Sequence, residues 1–332
     1  MRHPLAALVA VAAGLLVPGL LLRGQARADE AFITNQVGNS VSVLDLDAGR
    51  VAATIPVPGK PAGVAVAPDG GRVYVTSPEG KALHILDAAA RRVVGSVALD
   101  GGPLGVAVHP AGGPVYVADW FNARIWVVDA RGGDPDAGRV VATIPVGASP
   151  SGLAVTPDGR LLVSADREDD QVSLVDTATL ARVATVKVGA HPFGVALDAS
   201  GRRAYTADVE ADTVSVVDLA ERRLVGTIHV GKRPYVVALA GELGFVTDQY
   251  GGTVTPFRLD TLATLKPIPV GDDPEGIAAS ADGRHLYVAN WDSNTVSVIA
   301  VEGLRVERQV AVGDGPRAFG AFLRRTGPQR GP

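Results

Sequence analysis

Pro61-Ala62-Gly63-Val64-Ala65 is the stretch that decides the fold, because related segments occur in seven copies along the 332-residue chain. Successive copies lie 42, 47, 42, 42, 40 and 42 residues apart. They begin at Pro61, Pro103, Pro150, Pro192, Pro234, Pro274 and Pro316. A period of about 42 residues is typical of architectures in which each repeat is one supersecondary unit that stacks on its neighbours.

Each period contains four short runs with the composition of β-strands. Residues 63–67 form the first run and residues 72–76 the second, and Pro68-Asp69-Gly70 between them has the residue types of a tight turn. A third run is typified by residues 214–218 and a fourth by residues 141–146. Four strands per period of this length predict a propeller blade, so seven copies predict an all-β, seven-bladed β-propeller.

The two ends of the repeat region predict how the ring closes. Residues 31–35, 40–45 and 51–57 have the pattern of strands two, three and four without a first strand. Residues 317–323 supply a first strand without the other three. We therefore expect the N-terminal strands to pair with the C-terminal strand, which removes exposed sheet edges. The propeller is predicted to span residues 29–323, with a flexible tail at residues 324–332.

Residues 1–28 have the pattern of a secretory signal peptide. Arg2 precedes an apolar run, and Ala26-Arg27-Ala28 forms a small-residue cleavage site. An uncleaved membrane anchor is the alternative, since roughly 18 apolar residues reach the lower limit for spanning a bilayer. We expect cleavage and a periplasmic or secreted protein with no membrane span after it.

Composition excludes several classes of function. The chain has no cysteine, so disulfides, thiolate metal sites and cysteine nucleophiles are excluded. The formal net charge is −4, which makes binding to nucleic acid by a general basic surface unlikely. We predict no resident metal and no cofactor, and we expect a monomer.

Several repeat motifs resemble those of the YVTN family of β-propeller repeat proteins. They include Val73-Tyr-Val-Thr76, Val115-Tyr-Val-Ala-Asp119 and Leu286-Tyr-Val-Ala-Asn290, together with Ile-Pro-Val-Gly endings. The resemblance covers residues 31–323, and the chain is similar to exported, YncE-like propellers. It is more distantly similar to lactonase-type propellers and to those that hold haem in periplasmic nitrite reductases. The family implies a seven-bladed ring outside the cytoplasm, with varied binding roles.

Positions that recur in every repeat are interpreted as architectural. An Asn or Asp follows strand two in six of the seven repeats, which favours backbone capping over a bound cation. The glycine of each Pro-x-Gly is expected at the crowded centre of the ring, where a side chain would clash. The fifth repeat departs from this pattern with Val236.

Positions that differ between repeats are the candidates for one asymmetric binding site. Strand one should begin on the face from which the loops between strands two and three emerge, and charged and aromatic residues are concentrated there. The predicted ligand-binding residues are Trp120, Arg167, His191, Phe193, Arg233, Tyr235, Glu275, Trp291 and Arg317. Rim packing of the tryptophans and ordinary solvated charges are the alternative readings.

Three functions are compatible with these residues. The first is a non-enzymatic binding scaffold for a protein or a small anionic or aromatic ligand. The second is a lactonase-like hydrolase at the channel mouth, in which His191 pairs with Glu275 or Asp273 as acid and base. The third is an accessory role in periplasmic redox or quinoprotein metabolism, in which the basic and aromatic patch holds or delivers a quinone or a haem-like cofactor. We predict the first and keep the hydrolase as the alternative.

Overall fold

A computed structural model describes residues 29–130 and 138–325, and these residues form a seven-bladed β-propeller. Every blade is an antiparallel, four-stranded sheet, which confirms the predicted fold class. The described residues contain two single-turn 3-10 helices, at Arg167–Asp169 and Gln249–Gly251. Neither of these helices is long enough to cross a membrane. The predicted signal peptide at residues 1–28 lies outside the described residues.

The strands follow one another in the order that the repeats predict. Blades 1 to 6 each use four consecutive strands, and blade 7 combines the first three strands with the last. The blade 7 strands from the N-terminal side are β1 (Glu30–Asn35), β2 (Ser40–Asp45) and β3 (Arg50–Pro56). Blades 1 to 3 contain β4 (Gly63–Val66), β5 (Arg72–Ser77), β6 (Ala82–Asp87), β7 (Arg92–Ala98), β8 (Pro103–Val108), β9 (Val115–Asp119), β10 (Arg124–Asp129), β11 (Arg139–Pro145), β12 (Pro150–Val155), β13 (Leu161–Asp166), β14 (Gln171–Asp176) and β15 (Ala181–Lys187). Blades 4 to 6 and the C-terminal segment contain β16 (Pro192–Leu197), β17 (Arg203–Asp208), β18 (Thr213–Asp218), β19 (Arg223–His229), β20 (Pro234–Ala240), β21 (Leu243–Asp248), β22 (Thr253–Arg258), β23 (Ile268–Pro269), β24 (Pro274–Ala279), β25 (His285–Asn290), β26 (Thr295–Ala300), β27 (Arg305–Ala311), β28 (Phe319–Ala321) and β29 (Leu323–Arg324).

Blade 7 closes the ring by backbone pairing between the two ends of the repeat region. Strand β29 pairs antiparallel with β1, so that Ala31 lies opposite Leu323. The Arg317 N–H donates to the Thr34 carbonyl at 2.8 Å, which continues the pairing beyond β29. Strand β28 pairs in parallel with β4 and links this segment to blade 1. The predicted closure is therefore confirmed.

The hydrophobic core lies between the blades, because the inner three strands of each sheet bury both faces. Strand β5, for example, has five buried residues, whereas the outermost strand β7 has only one. Tyr205 of blade 4 and Phe257 of blade 5 meet in one such interface, with ring centroids 6.2 Å apart. Each blade is thus covered by its neighbours, as stacking of repeats requires.

The innermost strands pack so closely that the repeated glycine is required. A Cβ atom added to Gly194 would lie 2.6 Å from the carbonyl oxygen of Tyr235 in the next blade. At Gly63 and Gly105 the added atom would lie even closer to the carbonyl of the next blade. This contact confirms the interpretation of the glycine as a packing residue, and Val236 takes its place in blade 5 while staying buried.

Buried threonine hydroxyl groups join the inner strands of neighbouring blades. The hydroxyl of Thr76 donates to the Leu104 carbonyl at 2.6 Å, and that of Thr247 donates to the Glu275 carbonyl at 2.8 Å. Thr34 of blade 7 makes the same bond to Ala62 of blade 1 at 2.8 Å. The last bond crosses the point of ring closure, so blades 7 and 1 are joined in the same way as blades 1 and 2 and blades 5 and 6.

A buried carboxylate ties the two chain ends to blade 1. Glu30 is 2% exposed, and its two oxygens lie 2.7 Å from Arg91 and 2.7 Å from Arg324. Arg324 also donates to the Gly70 carbonyl at 2.8 Å. Arg324, which the sequence analysis assigned to the tail, therefore lies in the closing sheet; residues 326–332 of that tail lie outside the described residues.

Replacing Arg324 with Ala should lower the free energy of unfolding by about 2–3 kcal/mol, since it removes charge-assisted hydrogen bonds and leaves the buried Glu30 with one partner. Urea unfolding measures the change. Arg182→Ala is the matched control, because Arg182 lies exposed at the outer strand β15. Equal stabilities of the two variants would contradict the role of Arg324 in closure.

Candidate functional site

The first strand of each blade begins, and the second strand ends, at one face of the ring, which we call the upper face. Pro103 at the start of β8 lies opposite Asp119 at the end of β9, and Pro150 lies opposite Asp166 in the same way. The loops between strands two and three therefore emerge beside the start of strand one, as the sequence predicts.

The Asn and Asp residues after strand two are structural. The carboxylate of Asp208 accepts hydrogen bonds from the hydroxyl groups of Thr206 at 2.7 Å, Thr213 at 3.0 Å and Ser215 at 2.7 Å. Burial raises the pKa of Asp208 to about 6, and these hydrogen bonds oppose the rise. Asn290 makes the corresponding contacts to two hydroxyl groups in blade 6. No cluster of three or more His, Asp or Glu side chains suited to a metal ion is found among the described residues.

The residues that directly follow the proline in the seven repeated segments meet near the axis of the propeller, and we call them the mouth ring. Members from six different blades either share one buried cluster or contact each other directly. The mouth ring consists of Ala62, Leu104, Ser151, Phe193, Tyr235, Glu275 and Arg317. Both charged members and the phenol come from three consecutive blades, 5, 6 and 7, so the ring is strongly asymmetric.

Aromatic side chains fill one side of the mouth ring. Phe193 and Tyr235 stack with centroids 4.2 Å apart and planes 29° apart. Phe319 packs against Phe193 at 4.8 Å, and Trp120 of the neighbouring loop lies 6.0 Å from it. Phe193 and Tyr235 are both buried. These rings form a rigid apolar wall at the upper end of the channel.

A buried polar network occupies the other side of the mouth ring. Arg317 Nε lies 3.0 Å from Glu275 Oε2, and Arg317 Nη2 donates to the hydroxyl of Tyr235. Gln249 donates to Glu275 Oε1 at 3.2 Å. Glu275 is 5% exposed, whereas 17% of the Arg317 side chain is exposed. One cation, one carboxyl group and one phenol from three blades thus form a connected network.

Burial controls the ionisation of this network. It raises the pKa of Glu275 to about 7; the positive charge of Arg317 opposes that rise, and Asp273 adds to it. Burial also raises the pKa of the Tyr235 hydroxyl, which stays protonated at neutral pH. The pKa of Arg317 is raised by the charge of Glu275 against the opposing effect of burial, so Arg317 stays charged.

Further charged and aromatic side chains surround the mouth ring on the upper face. The guanidinium of Arg167 lies 5.7 Å from the ring centroid of Trp120 and is paired with Glu168. His191 Nε2 lies 3.9 Å from Glu168 Oε2. Cation–π contacts of this kind hold the guanidinium groups flat against aromatic faces.

A second Arg–aromatic pair lies farther along the same face, where Arg233 is placed 4.7 Å from the ring centroid of Tyr250 and 3.0 Å from Glu210. Trp291 lies beside Gly315, at the junction of blades 6 and 7.

The structure brings most of the predicted site residues into one group. Six of them lie in or beside the mouth ring, His191 joins them through Glu168, and Arg233 and Trp291 lie apart. The six are Trp120, Arg167, Phe193, Tyr235, Glu275 and Arg317.

The acid–base pair of His191 with Glu275 or Asp273 is not formed. Among the described residues, the side chain of His191 is paired with Glu168, and the side chain of Glu275 is paired with Arg317.

The sequence reasoning missed Phe319 and Glu168. Phe319 stands where the other repeats have Val, Ile or Leu after the glycine position, so comparison of the repeats could have identified it. Glu168 follows Arg167 in a loop that has no common pattern among the repeats. Nothing in its spacing indicates that it would turn toward His191.

The sequence model of YNCE-like beta-propellers matches residues 20–111. This match and the seven four-stranded blades confirm the resemblance that the repeat motifs predict. Among curated proteins, no sequence matches the chain significantly.

Several solved structures share the fold. A chain of Kuenenia stuttgartiensis hydrazine synthase is 22% identical, with a TM-score of 0.70 over 79% of this chain and 89% of that one. A functionally unknown protein from Desulfotomaculum acetoxidans is 16% identical, with a TM-score of 0.76 over 91% and 100%. A "putative 6-phosphogluconolactonase" from Bacteroides uniformis is 18% identical, with a TM-score of 0.75 over 88% and 98%. At these identities the likeness concerns the fold alone.

Replacing Glu275 with Gln should flatten the pH dependence of stability between about pH 4.5 and pH 7. The raised pKa means that the folded wild type binds more protons than the unfolded chain in this window, so its stability falls as the pH rises. Urea unfolding at several pH values tests this, with the exposed Glu302→Gln as the control. The same slope in wild type and Glu275→Gln would contradict the assignment.

Proposed function

We propose that this YncE-like propeller is an exported, non-enzymatic scaffold that binds a protein or a small ligand through its upper face. The closed ring supplies a rigid frame, and loops on a rigid frame are common binding sites. Export rests on the signal-peptide pattern of residues 1–28, and the choice of face rests on the side chains that it exposes.

The observation that carries this proposal is the position of the most exposed aromatic side chains. Phe121 is 73% exposed and Tyr250 is 69% exposed, and both lie in upper-face loops that follow strand two. Val37, in the corresponding loop of blade 7, is also exposed. Exposed aromatic residues grouped on one face are typical of interaction sites, where large rings provide most of the binding energy.

The charges near these rings favour an anionic or aromatic partner. Arg233 stacks on Tyr250, and Arg167 stacks on Trp120. A guanidinium on an aromatic ring presents charge and a flat surface together, which suits carboxylate groups and planar molecules. A quinone-type carboxylate of periplasmic redox metabolism has this chemistry, and an accessory role of that kind is one form of the proposal.

The lactonase-like alternative depends on a histidine that can activate water. His191 lies 3.9 Å from Glu168, and a carboxylate at that position could orient its ring. Glu275, however, is held by Arg317 and Gln249. The contacts of the described residues therefore favour binding over the predicted His191–Glu275 pair.

The double variant Phe121→Ser/Tyr250→Ser should lose the molecules that wild type retains when it is purified from the exported fraction of its source. The control is Val183→Ser/Leu224→Ser, which removes exposed apolar side chains from outer strands instead. Quantitative mass spectrometry of the co-purifying proteins and small molecules provides the readout. Equal retention by wild type and both double variants would contradict a binding role for the upper face.

Purified wild type should not hydrolyse gluconolactone faster than buffer alone at neutral pH. Because lactones open spontaneously, the rate is compared with that of His191→Ala and Glu275→Ala under the same conditions. Turnover by wild type that is lost in His191→Ala, while the variant stays folded by circular dichroism, would support the hydrolase and contradict the non-enzymatic proposal.

A further inference from the structure

We propose that the mouth ring binds a flat aromatic carboxylate between Arg317 and Arg167, and that this binding is coupled to the uptake of one proton by Glu275. The inference rests on the proposed binding role of the upper face and specifies its ligand class. It follows from how charge, hydrogen-bonding capacity and aromatic surface are arranged around the propeller axis.

The buried polar network at the mouth is not internally satisfied. Glu275 Oε2 and Arg317 Nε are buried and lie 3.0 Å apart as an ion pair. Neither atom makes a hydrogen bond of good geometry with the described residues. The buried Nδ1 of His191 also lacks a hydrogen-bond partner among these residues. Buried polar atoms in folded proteins are nearly always hydrogen-bonded, so the two atoms of the mouth ring leave hydrogen-bonding capacity for a polar ligand.

Arg317 has the geometry of an anion receptor. Its Nη2 donates to Tyr235, its Nε faces Glu275, and its Nη1 makes no hydrogen bond within the described part of the chain. The exposed 17% of the side chain is reached from the upper face. A guanidinium that retains free donors binds a carboxylate through two parallel hydrogen bonds.

Arg167 adds a second positive charge near the same point. Arg167 lies 5.7 Å from the ring centroid of Trp120, which in turn lies 6.0 Å from Phe193 of the mouth ring. Burial raises the pKa of the Tyr235 hydroxyl, and the charges of Arg317 and Arg167 oppose that rise. Glu168 pairs with Arg167, so protonation of Glu275 leaves a local excess of one positive charge at Arg317. A single carboxylate would neutralise this excess.

The aromatic part of the ligand has a surface to stack on. Trp120 is partly exposed, lies 6.0 Å from Phe193 and carries Arg167 over its ring. Phe121, the next residue, is exposed on the same loop. A flat ring whose carboxylate reaches Arg317 would contact this surface by offset stacking.

Proton uptake follows from the competition of two carboxyl groups for Arg317. Glu275 faces Arg317, Tyr235 and Gln249, and Asp273 acts on it through its charge. A ligand carboxylate at Arg317 would place a second anion beside Glu275, and two adjacent carboxylates cannot both stay ionised at little cost. Since the pKa of Glu275 is already about 7 without a ligand, the bound state favours its neutral form.

Isothermal titration calorimetry with 2-naphthoate as the probe tests the inference. Affinity should be about tenfold weaker at pH 8 than at pH 6, which is the change expected for one proton taken up by a group with a pKa near 7. Titrations at pH 8 in two buffers of different ionisation enthalpy should show uptake of close to one proton. The uncharged 2-naphthamide should bind more weakly than 2-naphthoate at pH 6.

Variants assign the effect to individual groups. Glu275→Gln should bind 2-naphthoate with nearly the same affinity at pH 6 and pH 8, and Arg167→Gln should weaken binding at least about fivefold at both. Arg182→Gln, on an outer strand, is the control and should bind as wild type does. If Glu275→Gln does not fold, the two-buffer titration of wild type still shows whether binding of 2-naphthoate is coupled to the uptake of a proton.

Absence of 2-naphthoate binding at millimolar concentration, or binding by wild type without proton uptake, would overturn the inference. Either result is independent of the proposed function, because that function is tested by retention of native partners through Phe121 and Tyr250. Retention that depends on these two residues, together with failure of 2-naphthoate, would leave the scaffold role standing and remove the carboxylate site.

Discussion

The close contact between neighbouring inner strands is the constraint on which this structure depends. At Gly105 and its equivalents, the backbone of one blade lies against a carbonyl oxygen of the next, with no room for a side chain. Threonine hydroxyl groups such as that of Thr76 bond across the same gap. Five of the seven repeats have this glycine, and Val236 and Ala318 take its place in the other two. The contacts around the axis require that the ring be complete, since an open ring would leave one inner strand without its neighbour.

Ring closure in turn creates the mouth ring. Tyr235 and Arg317 are separated by 82 residues in sequence, yet their side chains are bonded at the axis. Arg317 lies in the C-terminal segment before β29, and its backbone N–H donates to Thr34 of β1, so the polar network depends on the pairing of the two ends of the repeat region. The buried Glu30 and its two arginine partners stabilise that same junction. The stability of the closure and the chemistry of the mouth are therefore linked.

Much of the architecture could be predicted from the repeats, because spacing and turn residues report strand number directly. The aromatic and charged composition of the upper face was also predictable, since residues such as Phe193 and Tyr235 break the common pattern. The contact partners of individual side chains could not be predicted from the sequence. His191 turns toward Glu168 and Glu275 toward Arg317, because contacts across the axis depend on the orientation of each blade and on side-chain rotamers, which a 42-residue period does not encode.

Native mass spectrometry of the protein purified gently from its own source tests the central claim most directly, namely that the asymmetric upper face of a rigid, closed ring serves to bind another molecule. The account predicts a non-covalent mass in addition to that of the chain, released by mild activation in the gas phase. A chain that carries no additional mass, at a concentration and pH close to those of its native compartment, would contradict it.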